Sequence, residues 1–153
     1  MPRNSEKLKK EFDDLEIKPI GDIVVPGIFP PSANRTKTWH WARTMRAKRE
    51  WTDRIELETL AQFFQLRRDS ALPPHVWIQL RLYFPDLRRR DSDNFSPKML
   101  TDGLVKGKLI PDDSTKYVTW LPTMITLDRK KPRTVLRIFD RCPILYHRSM
   151  SDE

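Results

Sequence analysis

The stretch "HVWIQLRLYF", His75–Phe84, alternates apolar and polar side chains almost without a break. Neighbouring side chains of a strand point to opposite faces, so Val76, Ile78, Leu80, Leu82 and Phe84 share one face, with Gln79 and Arg81 on the other. A strand patterned this way has to bury one face against a second layer. Upstream, "DIVVPGIF" (Asp22–Phe29) reads as another strand. Pro26 lacks an N–H, which consigns that strand to a sheet edge or a bulge. "PPSANR" (Pro30–Arg35) reads as a rigid turn.

Helices are expected on either side of the alternating strand. The first runs from Trp41 to Arg67, with Leu57, Leu60, Ala61 and Phe64 at helical spacing and Trp51 and Ile55 extending the stripe. "LPP" (Leu72–Pro74) stops it. The second starts at Ser96-Pro97, serine as N-cap and proline at N1, and runs to Lys106 with Gly107 as its stop. After the turn "IPDDST", the segments "KYVTWLPTMITL" and "RTVLRIFD" read as a closing hairpin joined across "DRKKP". The order β-α-β-α-β-β predicts a single α+β domain, a mixed sheet carrying two main helices. A chain of 153 residues can bury a core of that size. The domain is expected over 19–142, between a charged, frayed or loosely helical tail at 1–18 and a C-terminal tail at 143–153.

The net charge is +8 and it is unevenly placed. Cations and anions balance in the first 18 residues. Arg35, Lys37, Arg43, Arg46, Lys48, Arg49 and Arg54, in contrast, face only Glu50 and Asp53. Arg88, Arg89 and Arg90 form a second cluster. Such patches point to a polyanion, nucleic acid ahead of an anionic membrane. No apolar run is long enough to cross a bilayer, and the charged start does not resemble a signal peptide. Cys142 is the only cysteine, so neither an internal disulfide nor a thiolate zinc site is expected. These features suggest a cytoplasmic protein. The three histidines are scattered, and nucleotide-binding and hydrolase motifs are absent.

One stretch concentrates the chemistry: "RRRDSDNFSPK", Arg88–Lys98. If the chain stays extended, Asp91 and Asp93 project to one side, where a cation between them would relieve their repulsion. Mg²⁺ takes hard oxygen ligands and keeps waters for a substrate phosphate. Asp112 and Asp113 form a second acidic pair, which a helix of reversed direction could return toward the first. Turn and capping roles are the simpler explanation for either pair alone. Trp39 and Trp41 could stack on bases, whereas Trp51 suits a core or a subunit interface.

"PPSANR" before a helix, then "RRRDSDN", Lys98 with Asp102, and "LIPDDS" occur in an order that resembles the RusA family of Holliday junction resolvases, common in phages and prophages. The resemblance spans Phe29 to the closing strands. It implies a RusA-like fold and an Mg²⁺-dependent, homodimeric endonuclease, with Mn²⁺ as a possible substitute. Its substrate would be branched DNA, a four-way junction cut by paired nicks, inside a bacterial host cell. By position it implies Asp91, Asp93, Asp113 and Lys98 as catalytic residues. The metal would lie on Asp91, Asp93 and Asp113, with Asp112 less directly matched. Asn34, Arg35, Lys37, Arg43, Arg46 and Arg88–Arg90 would meet DNA. No membrane and no small-molecule cofactor are expected. Lys98 lies one residue farther from Asp91 than in the family's pattern, and Ser96-Pro97 is expected to absorb the difference. Two alternatives stay open: a non-catalytic basic DNA-binding module, and a broader branch or flap endonuclease serving phage packaging.

Overall fold

The computed structural model describes residues 17–69 and 71–143; residues 1–16 and 144–153, on which most of the two tail expectations fall, lie outside them. The expected α+β architecture is present: one five-stranded mixed sheet and four α-helices among the described residues.

The alternating stretch forms β2 (Val76–Phe84), whose residues are in turn buried and half-buried along its whole length. Ile78, Leu80 and Leu82 are fully buried together with Ile23 and Val25 of β1 (Gly21–Pro26) and with Leu136 and Ile138 of β5 (Arg133–Phe139). β1 pairs only with β5, antiparallel, so it is an edge strand as Pro26 requires. It stops at Pro26 rather than Phe29. Gly27 turns the chain at φ 75°, a conformation open to glycine, and donates its N–H to the Pro132 carbonyl at 2.9 Å.

The closing hairpin does not form. Pro122 divides its first arm into β3 (Val118–Trp120) and β4 (Met124–Leu127), which pair in parallel with successive parts of β2. Val118 lies opposite Val76 and Leu127 opposite Phe84. β5 runs antiparallel along the other edge of β2, giving the order β1-β5-β2-β3 with β4 also on β2. The "DRKKP" loop therefore crosses the end of β2, where the Asp128 N–H donates to the Phe84 carbonyl at 2.8 Å. The intervening helix makes β2 and β3 a β-α-β unit, which is how parallel neighbours are ordinarily joined.

"SANRT" forms a short helix, α1 (Ala33–Thr36), in place of a plain turn; the Ser32 hydroxyl accepts from the Arg35 N–H at 3.3 Å. The expected long helix divides at Phe63 into α2 (Trp41–Gln62) and α3 (Phe64–Arg68). Its buried face follows the expected stripe at Trp51 and Ile55 but departs from it downstream. Leu57 is 63% exposed and Phe64 59%. In their place Thr52, Thr59 and Phe63 point inward with Trp51 and Ile55. Two of those positions are threonines, which an apolar template does not count. They are small enough for α2 to cross closely over α4 (Lys98–Lys106). A Cβ on Gly103 would lie 2.6 Å from the Ile55 Cβ and 2.7 Å from the Thr52 carbonyl oxygen.

α4 begins one residue later than expected and ends at Lys106, as expected, with Gly107 as its C-cap. Pro97 is the N-cap, its carbonyl accepting from Leu100 and Thr101, while the Ser96 hydroxyl accepts from the Lys98 N–H at 3.3 Å. At the other end the left-handed residue is Lys108 (φ 60°), not Gly107. The bonds from Lys108 N–H to the Val105 carbonyl and from Leu109 N–H to the Leu104 carbonyl close the helix as a Schellman motif.

Candidate functional site

The loop that leaves β2 is held by an aromatic platform. Phe84, the last residue of β2, stacks on Phe29 (4.3 Å between centroids) and touches Phe95 (5.8 Å). The Arg90 guanidinium lies 3.8 Å above the Phe84 ring. From there its Nη1 reaches the Asp86 carboxylate at 2.8 Å and donates to the Asp86 and Arg88 carbonyls at 3.4 Å each. The Arg88 N–H donates to the same carboxylate at 3.1 Å. Residues 86–90 are thereby tied into a small closed loop.

Arg90 was expected to meet DNA with Arg88 and Arg89, but its side chain is only 18% exposed and is committed to this clamp. Arg88, 83% exposed, reaches Asp86 at 3.9 Å. Arg89 is exposed and has no ion pair among the described residues. The clamp residues were legible only as an acid–arginine pair at i and i+4; nothing in the spacing said that Phe84 would carry it.

The hydrogen bond from Arg90, and next that from the Arg88 N–H, hold the Asp86 carboxyl below the usual aspartate range. A carboxyl lowered in the folded state stabilises its loop above the unfolded value, about 3.9, and ceases to do so as pH falls through the folded value. The clamp therefore persists through neutral and mildly acidic solution. Asp86→Asn should leave the global unfolding midpoint nearly unchanged while making the loop cleave several-fold faster after Arg88 or Arg89 in limited trypsin digestion. Equal digestion rates would show that Asp86 does not hold the loop.

Asp91 follows, extended (φ −92°, ψ 127°), at the N-cap of a 3-10 turn over Ser92–Asn94. Asp93 lies within that turn, so the expected extended-chain alternation is replaced by a tight turn. The Asp91 side chain makes no cap bond; its backbone carbonyl accepts from Asn94 instead. Both carboxylates are exposed, and neither has a hydrogen-bond or ion-pair partner among the described residues. Asp91 lines a groove of about 300 Å³ with Ser32 and Asn34 of the "PPSANR" segment and with Arg89, Arg90, Asn94 and Phe95.

Lys98 is the first residue of α4, exposed and without an ion pair among the described residues. A cation at a helix N-terminus opposes the helix dipole, so helix stability does not account for it. Asp102, one turn on, pairs with Lys48 at 3.3 Å across the α2–α4 crossing.

The second acidic pair stands elsewhere. Asp112 and Asp113 precede β3, whose Val118 lies beside Val76 at the start of β2, whereas Asp91 follows its end. Nine residues of strand separate those levels by about 26 Å. The expected return fails for a topological reason. One helix after a strand leads back to the strand's beginning, and reaching its end again takes another strand. The Asp112 carboxylate accepts from the Ser114 N–H at 2.7 Å, and Ser114 lowers its titration range through its side chain first and its backbone second. Asp113 is exposed and free of such bonds among the described residues. No group of three or more His, Cys, Asp or Glu among the described residues is placed to hold a metal ion.

The basic patch is realised on α1 and the start of α2. Arg43 stacks on Trp39 at 4.0 Å, and Arg35 lies 5.7 Å from the same ring. Arg35, Lys37, Arg43 and Arg46 are all exposed. Trp41 is 72% exposed, while Trp51 is buried in the core. Among the described residues no helix is long and apolar enough to cross a membrane. Neither a protein-family model nor a curated protein matches the chain.

Proposed function

We propose that the chain is a divalent-metal-dependent, structure-selective DNA endonuclease that resolves four-way junctions. The observation that carries this reading is the state of Asp91 and Asp93. They are carboxylates that neither cap nor pair, beside the exposed Arg88 and Arg89 on a clamped loop. The ordered resemblance to the RusA family supports it.

Two unpaired carboxylates and the Asn94 amide are hard oxygen donors, a set that suits Mg²⁺ or Mn²⁺, which need only one or two carboxylates. Bound there, the metal would supply Lewis-acid stabilisation of the scissile phosphate and a more acidic attacking water. Lys98 would place a positive charge at the developing negative charge of the phosphate. Arg88, Arg89, Arg35, Lys37, Arg43 and Arg46 would neutralise flanking phosphates, and Asn34 would orient the strand in the groove. These contacts read backbone shape rather than base sequence.

Two opposed nicks in a two-fold junction call for an isologous dimer. A dimer also gives the remote acids a role. Asp112 and Asp113 of the partner subunit would complete the site begun by Asp91 and Asp93.

A non-catalytic DNA-binding module is the second reading; it would use the exposed Arg35, Lys37, Arg43 and Arg46 around Trp39 and keep the acidic loops as structure. Purified protein and a labelled four-way junction separate the two. Paired nicks with Mg²⁺ or Mn²⁺ and none with EDTA support the nuclease. Binding without nicking under every metal condition leaves the module. Unlabelled flaps, forks and duplex added as competitors test selectivity, and equal competition by flaps would indicate a broader branch nuclease.

A further inference from the structure

Leu87 is the most exposed large apolar side chain among the described residues, at 75%. On a loose loop a single exposed leucine needs no explanation. Leu87, however, sits inside the closed loop. Asp86 before it and Arg90 after it are bonded to each other at 2.8 Å, and Arg90 is seated on the Phe84 ring. The tip is thus ordered before any partner arrives, and little freedom is lost when it is buried. The next two residues, Arg88 and Arg89, are exposed cations. An apolar tip followed by exposed arginines matches a nucleic acid, whose bases are apolar and whose backbone is anionic. An apolar protein pocket would have to desolvate those charges. Apolar wedges of this kind, leucine among them, enter between base steps and unstack them.

We infer that Leu87 is a wedge that enters the base stack of branched DNA at the branch point, where stacking is already interrupted. This rests on the endonuclease reading for its substrate. Leu87 is four residues from Asp91. That is at most about 14 Å of chain, or about four nucleotide steps of 3.4 Å. The wedge therefore places cleavage within about four nucleotides of the unstacked step.

The test uses the full chain and a four-way junction carrying 2-aminopurine at the branch point, without divalent metal so that binding is read apart from cleavage. Wild type should raise 2-aminopurine fluorescence on binding. Leu87→Ala should abolish the rise and weaken junction binding by roughly ten-fold, on the scale of the apolar burial it removes. Affinity for linear duplex should stay unchanged, because the arginines remain. Leu87→Met, another wedge side chain, should restore the fluorescence. An undiminished rise with Leu87→Ala overturns the inference, as does a shift from dimer to monomer by light scattering, which would assign Leu87 to a subunit interface. The two readings fail separately. A rise that depends on Leu87 without nicking in Mg²⁺ keeps the wedge and removes the nuclease. Nicking with an unaffected rise in Leu87→Ala does the reverse.

Discussion

Asp91→Asn should abolish metal-dependent nicking of a four-way junction while junction binding persists or tightens. The asparagine keeps the shape of the loop, because the Asp91 side chain makes no cap bond whose loss could disturb the 3-10 turn. What is removed is one negative charge and one hard ligand. Metal stabilisation of phosphate charge amounts to several kcal/mol, so cleavage should fall by at least about a hundred-fold. Binding should not suffer, since a carboxylate near phosphate is repulsive. Nicking that survives in Asp91→Asn would remove the metal-site assignment.

The same variant tests where the second acidic pair acts. Asp91→Asn and Asp113→Asn should each be inactive alone. Refolded together, mixed dimers contain one intact site if each site draws its acids from both copies, and single nicks should reappear. If both acids act within one chain, every site in the mixed dimer is defective and no nicking returns. The separation of the two pairs by the length of β2 leads us to expect rescue.

The largest stability effect is expected at Gly103. A methyl group there would meet the Ile55 Cβ at 2.6 Å and the Thr52 carbonyl oxygen at 2.7 Å. Neither is the yielding end of a flexible side chain; one is a Cβ and the other backbone. Ala is otherwise the better helix former, by up to about 1 kcal/mol. The overlap outweighs this, because relief requires α2 and α4 to move apart along a core that includes Leu100 and Leu104, both fully buried. Gly103→Ala should therefore destabilise by about 2–3 kcal/mol. It should appear as a lower urea midpoint at unchanged slope. Lys98 begins the same helix, so cleavage should drop below the temperature at which the variant unfolds. An unchanged midpoint would mean that the crossing is looser than its geometry indicates.

Particular residues show what was readable beforehand. β2 was fully legible, since strict alternation of five apolar residues leaves one possible face. The edge position of β1 followed from Pro26, because a missing N–H cannot be compensated inside a sheet. The inward face of α2 was legible only at Trp51 and Ile55. Thr52 and Thr59 are polar by type, and they are buried because the glycine-containing helix opposite admits them. The partners of β3 and β4 were not legible either. Alternation tells which residues share a face but not which strand lies alongside, and two consecutive strands suggest a hairpin until tertiary structure inserts β2 between them.

The candidate site divides in the same way. Residue types and their order alone marked Asp91, Asp93, Lys98 and the arginines, because carboxylates crowded against cations are a chemical statement before any folding. Tertiary structure decided which of them are free. It placed Phe84 under Arg90, withdrew that arginine from solvent, and left Arg88 and Arg89 outward with Leu87 at the tip. It also set Asp112 and Asp113 at the far end of β2. Such distances depend on the path of the chain through the sheet, which is set by strand pairing between remote residues and by no local pattern.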